Sequence, residues 1–214
     1  MIKAIVFDFD GVIVDSNGFK RDAWFSVFPP EEGVSAELVK RVLERIRQTR
    51  YDIIRAIFTE LGRPAEEVER AVEKYAVVFN EVVQSGLANM GFIPGTAETL
   101  EQLGQRYRLY VNSATPENAL QQTCRNLGID KYFEDIYGTP ATKEENLRKV
   151  MARDTLSGEE ILMVGDGEGD RNAAVSCQCF FVGIPNEWNG WKGTPFPLIE
   201  RIGEIKRVID EEMN

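Results

Sequence analysis

Ile2-Lys3-Ala4-Ile5-Val6-Phe7-Asp8-Phe9-Asp10-Gly11-Val12-Ile13-Val14-Asp15 opens the chain, and its reading decides the fold. The run from Ile2 to Phe7 is short, apolar and rich in β-branched residues. That is the pattern of a strand that a parallel sheet covers on both faces. Two carboxylates one residue apart leave its C-terminal end, followed by a glycine. In open α/β sheets the ligand crevice lies at the C-terminal ends of the strands. Residues i and i+2 leaving a strand point the same way, so Asp8 and Asp10 can address one ligand. Gly11 has no Cβ and permits an unusual turn with close backbone approach to that ligand. Two carboxylates in one crevice repel unless a cation sits between them or one keeps a proton. A hard divalent cation such as Mg²⁺ prefers oxygen ligands, and a carboxyl that gains and loses a proton is a general acid and base. An Asp-x-Asp-Gly is also the composition of a polar turn, so the rest of the chain must decide.

The bulk composition narrows the classes. With 214 residues the chain can build one good-sized core, or a core with a smaller insert. Its formal net charge of −10 argues against a broad nucleic-acid or anionic-membrane footprint. No apolar run reaches membrane-spanning length, and the first strand leaves no room before it for a signal peptide. Cys124, Cys177 and Cys179 form no disulfide framework; with the missing leader they suggest a reducing, cytoplasmic setting. Cys177 and Cys179 read as core residues. The chain has no histidine, which removes Ser-His and Cys-His nucleophile chemistry. Acid and base work falls to carboxylates, lysine or tyrosine.

Behind Asp15 the pattern turns helical as far as about residue 86. Phe19, Ala23, Trp24 and Val27 recur at helical spacing up to Pro29-Pro30. Ser35 is a candidate N-cap for a helix over 36–47, a second helix is expected over 51–61, and Pro64 opens a third to about residue 84. Strand–helix alternation then resumes. Strands are expected over 107–111, 133–137, 160–164 and 179–184. Helices are expected over 96–105, 116–127, 142–151, 170–176 and 198–212, with an irregular loop over 185–197. The expected architecture is α/β: a doubly wound parallel sheet formed by residues 1–15 and 91–214, with an all-helical insert over 16–90.

Further polar groups fall where such a sheet would hold a ligand. Ser113 follows the second strand, and Pro116 then begins a helix whose N-terminus favours an anion. Lys143 lies in the first turn of a helix, where a cation opposes the helix dipole and so hints at a tertiary partner. Asp166 and Asp170 flank the Gly-rich turn Gly165-Asp166-Gly167-Glu168-Gly169-Asp170, which suits metal ligation at a strand end. Each has a plainer reading: a helix cap for Ser113, a solvated lysine, a polar turn.

Taken in order, these groups resemble the haloacid dehalogenase superfamily over essentially the whole chain. The matching motifs are Asp8-Phe9-Asp10-Gly11-Val12, Ser113 after an apolar strand, Lys143, and Gly165-Asp166-x-x-x-Asp170, with a helical cap inserted behind the first. The resemblance implies a Rossmann-like core and a phosphoryl-transfer enzyme. Asp8 would be the nucleophile and Asp10 the general acid and base. Mg²⁺ would be held by Asp8, the Asp10 backbone carbonyl, Asp166 and Asp170, the last directly or through water. Ser113 and Lys143 would hold the phosphoryl oxygens, with Gly11 beside them. The partner implied is a small phosphorylated metabolite, with no nucleic acid and no membrane.

Within the superfamily, dehalogenases lack an aspartate at the position of Asp10, so its presence favours a phosphate-ester hydrolase. The β-phosphoglucomutases use a cap histidine, which is missing. A phosphonate hydrolase would need a cap lysine, and nothing marks Lys20, Lys40 or Lys74 as desolvated. Val14-Asp15-Ser16-Asn17, with Lys20 and Trp24, looks like the flap of helical-cap phosphatases, among them phosphoglycolate phosphatase-like proteins and sugar phosphatases. Lys20, Arg47 and Arg50 are candidates to meet the substrate's non-phosphate end. A phosphomutase, a non-catalytic phosphate-binding relative, and a partner interface at Trp188–Trp191 remain alternatives.

Overall fold

The computed structural model describes residues 1–46, 49–87, 92–186 and 189–212. Arg47 and Trp188, both singled out above, lie outside them. The chain divides into two compact units, Met1–Ser16 with Met90–Asn214, and Asn17–Asn89.

In the first unit the strands are β1 (Ala4–Phe7), β2 (Arg108–Pro116), β3 (Asp135–Thr139), β4 (Ile161–Gly165) and β5 (Phe180–Gly183). Among the described residues they form one sheet in the order β3-β2-β1-β4-β5, and every pairing is parallel. The chain runs outward from β1 through β2 to β3, then returns to β4 on the other side of β1. This reversal makes a topological switch between β1 and β4, where an open α/β sheet places its ligand crevice. Phe7 pairs with Val111 on one side and Val164 on the other, so the residues after β1 and β4 emerge side by side.

Both faces of the sheet are covered. On one, Val6, Tyr110, Met163 and Phe181 pack with Leu147 and Val150 of α7 (Lys143–Asp154) and with Ala173 and Ala174 of α8 (Glu168–Ser176). The neighbouring row, Ile5, Leu109 and Leu162, is at most 1% exposed. A strand buried on both faces must be apolar throughout, which is why β1 reads as an unbroken hydrophobic run.

Two expectations for this unit need correction. The strand expected to end at Val111 continues through Asn112, Ser113, Ala114 and Thr115 to Pro116. Those polar residues read as loop, but pairing with β3 carries the strand on, with a register irregularity between Asn112 and Pro116. The helix expected from Leu198 begins only at Ile205, α9 (Ile205–Glu212), after a 3₁₀ turn over Ile202–Glu204. Leu198 instead bridges Gly183 at the end of β5. The described part of the loop expected over 185–197, residues 185–186 and 189–197, has no helix or strand, and Trp191 packs edge-on against Phe181 and Phe196.

The second unit contains α1 (Asn17–Ala23), α2 (Ala36–Arg45), α3 (Arg50–Glu60) and α4 (Ala65–Leu87). Ser35 caps α2, its hydroxyl accepting from the Leu38 N–H at 3.2 Å. Thr49 and Asp52 cap α3 reciprocally. Gly62 ends α3 at φ 72°, a conformation suited to a residue without Cβ. The first helix stops at Ala23, short of the expected Val27, yet Trp24 and Val27 are buried. Their spacing came from packing in a turn rather than from helix. No described helix of the protein is long and apolar enough to cross a membrane.

Candidate active site

The site is built at the β1/β4 switch. The Asp8 N–H continues the sheet by donating to Val164 O at 2.8 Å, and its carboxylate accepts from the Phe9 N–H at 2.7 Å. Gly11 has φ 75°, so the unusual turn expected there is a left-handed one, and its N–H meets Val14 O at 2.8 Å.

From β4, Gly165 leads into Asp166 and the first turn of α8. A Cβ on Gly165 would sit 2.3 Å from the Cβ of Asp170, so only glycine lets that aspartate pack here. Asp170 is 1% exposed. It accepts from the Gly167 N–H at 3.1 Å and from Lys143 Nζ at 2.5 Å. Lys143 is the first residue of α7, whose start is fixed by a capping box between Thr142 and Glu145. Its ammonium also lies 3.0 Å from Asp8 Oδ2. The tertiary partner that its unfavourable place on the helix dipole called for is this pair of carboxylates.

Asp8, Asp166 and Asp170 bring carboxylate oxygens within 4.8 Å of one another. Burial pushes the Asp8 carboxyl up to about 7; the Asp170 and Asp10 charges add to this while Lys143 opposes it. Burial likewise raises Asp170 against the pull of Lys143. Burial works against the charge on Lys143, but Asp170 and Asp8 outweigh it and hold the ammonium above the ordinary lysine range. Three carboxylates and one ammonium leave an excess of negative charge in an all-oxygen donor set. That is the chemistry a hard divalent cation fits.

Asp10 is near enough for its charge to raise the Asp8 carboxyl, and two hydroxyls bond to its own carboxylate. Ser16 Oγ donates to one oxygen at 2.5 Å and Thr115 Oγ1 to the other at 3.3 Å. Ser113 is 2% exposed on β2, its Oγ accepting from the Thr115 N–H at 3.1 Å. A fully buried amide pair ties β2 to α7: Asn146 Nδ2 donates to Asn112 Oδ1 at 3.0 Å, and Asn112 Nδ2 to Lys143 O at 2.8 Å. Asp8, Lys143, Asp166 and Asp170 are therefore gathered in one cluster, with Asp10 and Ser113 on the neighbouring turn and strand. Lys20 and Arg50 belong to the other unit, on α1 and α3, where Arg50 Nη1 donates to Asn80 Oδ1 at 2.7 Å and stands over the Phe79 ring.

Sequence reasoning missed the amides. Asn112 and Asn146 fix the turn that carries Lys143. Asn186 and Asn189, after β5, bond to Asp166. The available signal was two asparagines three apart in a Pro- and Gly-rich loop, residues that bond to nearby backbone.

The haloacid dehalogenase-like hydrolase family profile matches residues 5–184. A phosphoglycolate phosphatase from Vibrio parahaemolyticus is 27% identical over 207 residues, covering 88% of this chain and 86% of its own. A 5'-nucleotidase from Pseudomonas aeruginosa is 27% identical over 169 residues, covering 76% and 73%. A haloacid dehalogenase-like hydrolase from Streptococcus pneumoniae shares the fold with a TM-score of 0.74 at 21% identity, covering 97% of this chain and 98% of its own.

Proposed function

We propose that this chain, which belongs to the haloacid dehalogenase-like hydrolase family, is a Mg²⁺-dependent phosphatase of a small phosphate monoester that works through an aspartyl-phosphate. The observation that carries the reading is the buried cluster in which Asp8 lies within 3.0 Å of Lys143 and groups with Asp166 and Asp170. In this reading residues 1–15 and 91–214 are the catalytic core and 16–90 a cap. Relatives named phosphoglycolate phosphatase and 5'-nucleotidase support a small phosphorylated substrate, phosphoglycolate-like or a sugar phosphate. Lys20, Arg47 and Arg50 are the candidates to meet its non-phosphate end.

Asp8 attacks phosphorus through a carboxylate oxygen. The bond from phosphorus to the ester oxygen breaks as the new P–O bond forms, and Asp10 gives its proton to the departing alkoxide. Asp10 then takes a proton from water as the water oxygen attacks phosphorus. The bond to Asp8 breaks, inorganic phosphate leaves, and both aspartates are restored. Lys143 and Ser113 hold the phosphoryl oxygens, whose charge must be stabilised during transfer. Ser16 and Thr115 hold the Asp10 carboxyl by one bond to each oxygen, which fixes the plane in which its proton moves. Asp8, the Asp10 backbone carbonyl, Asp166 and Asp170 would hold Mg²⁺. Its charge would offset the repulsion between the Asp8 carboxylate and a phosphate dianion.

The test is phosphate release from a panel of phosphoglycolate, sugar phosphates, nucleotides, pyrophosphate and an aryl phosphate, with Mg²⁺ and with chelator. Metal-dependent release that disappears in Asp8→Asn is the expected result. Transfer of phosphate between positions of a sugar without net release would instead favour a mutase. Wild-type protein that releases nothing from any ester overturns the phosphatase.

A further inference from the structure

We propose that Asn186, braced by Asn189, is a positioning residue for the cation site, holding the Asp166 carboxylate in place from the loop after β5. The inference rests on the proposed function, since it concerns the ion that reading requires.

Asp166 stands in a turn flanked by Gly165 and Gly167, where the backbone alone does little to fix a side chain. The grip comes from outside that turn. Asn186 Nδ2 donates to Asp166 Oδ2 at 3.0 Å and to Asp166 O at 3.1 Å. One amide group therefore holds both the backbone and the carboxylate of the same residue. Asn189 Nδ2 donates to Asp166 O at 3.0 Å and to Ile184 O at 2.9 Å, tying the turn to the end of β5.

The two asparagines also fix each other. The Asn189 N–H donates to Asn186 Oδ1 at 2.8 Å, and the Asn186 N–H to Asn189 Oδ1 at 3.2 Å. These bonds use the acceptor oxygen of each side-chain amide, and the Nδ2 bonds above use both of its donor hydrogens. The loop is anchored beyond them. Trp191 is 6% exposed, its ring packed against Phe181 and Phe196, and its Nε1 donates to Glu168 Oε1 at 2.8 Å.

This is how an outer ligand orients an inner one. Partners hydrogen-bonded to metal-binding carboxylates set their direction, and losing one typically weakens metal binding by about 10–100-fold. A loop held for its own sake would use the same bonds. In that case their loss would lower thermal stability and leave cation affinity alone.

The experiment titrates Mg²⁺ into metal-free wild type, Asn186→Ala and Trp191→Phe by calorimetry, with thermal melts in chelator alongside. Trp191→Phe keeps an aromatic ring, though a smaller one, and removes the bond to Glu168, and so loosens the loop without removing a partner of Asp166. The expected result is a Mg²⁺ dissociation constant raised about 10–100-fold in Asn186→Ala and unchanged in Trp191→Phe. Turnover by Asn186→Ala should recover at saturating Mg²⁺, with the KM for the ester unaltered. If Asn186→Ala does not fold, Asn186→Ser, too short to span to Asp166 Oδ2, gives the same readout. Wild type that binds Mg²⁺ together with an Asn186 variant that binds it equally overturns this inference alone. Wild type that binds no Mg²⁺ overturns the cation reading and this inference with it.

Discussion

The same kinds of charge appear in both units and serve opposite ends. In the α/β unit, Lys143, Asp8 and Asp170 pair with side chains only 16%, 9% and 1% exposed. In the helical unit the pairs lie outside: Arg41 and Arg45 with Glu60, Arg55 with Glu69, Arg70 with Glu66. Its interior is aromatic instead. Trp24 stacks on Phe79 with ring centroids 4.1 Å apart, Phe58 stacks on Tyr75, and Phe28 meets both edge-on. Burying charge is expensive, and a buried ion pair is weak reason to expect stability. The buried Lys143 cluster therefore calls for a reason other than stability, and the proposed phosphoryl transfer supplies one.

The largest effect expected from that difference is at Asp8. If Asp8 is the nucleophile proposed above, Asp8→Asn should abolish turnover, by at least about 10⁴-fold. It should not destabilise the metal-free protein. The raised Asp8 carboxyl means that the folded state disfavours its charged form, and the amide removes that charge. Thermal melts in chelator at pH 8 should show the Asp8→Asn variant melting no lower than wild type. A clear fall would mean that the charge supports the fold.

Next comes Lys143. Lys143→Ala removes the shared counter-charge of two buried carboxylates, and breaking such a pair costs on the order of 3–5 kcal/mol. Turnover should fall about 10²–10³-fold, as for other single donors to a developing oxyanion. Mg²⁺ should return part of the lost stability, because a cation replaces the missing ammonium. Denaturant unfolding with and without Mg²⁺ measures both parts. Equal loss in the two conditions would separate Lys143 from the cation site.

How far the sequence could be read follows the same division. The sheet was legible because two-sided burial forces unbroken apolar strands, and because Asp8, Ser113, Lys143 and Asp166 with Asp170 follow one another in the order of a family's motifs. For Lys143 the helix dipole gave only a hint of a tertiary partner, and the resemblance supplied its role. The extension of β2 through Ser113 was not, since Asn112 and Thr115 look like loop until β3 and their hydrogen bonds are known. Asn186 and Asn189 were hidden for the same reason: their partner is twenty residues or more earlier in the chain. In the helical unit the helices were legible but α1 was drawn too long, because Trp24 and Val27 are apolar for packing and not for helix.

The third prediction tests the aromatic interior. Trp24 is 4% exposed, and Trp24→Ala should destabilise its own unit by about 3–5 kcal/mol. Hydrogen exchange should rise across residues 17–87 while β1, β2 and β4 stay protected. Uniform loss of protection in both units would mean that they unfold together.

The smallest effect is expected at Glu60, the surface counterpart of Asp8 and Asp170. Hydrogen bonds from Arg41 and Arg45 hold its carboxyl below the usual glutamate range. A carboxyl lowered in the folded state contributes stability above its unfolded pKa and loses it as pH falls through the folded one. The contribution should therefore be present at neutral pH and vanish in acid. It should also be small, because exposed pairs are screened by salt and often contribute nothing measurable. Melting curves of Glu60→Gln and wild type should nearly coincide at neutral pH in low salt, and merge fully in acid or in high salt. A difference at neutral pH that survives high salt would mean that this surface pair is shielded from solvent, and that the contrast with the Lys143 cluster is one of degree.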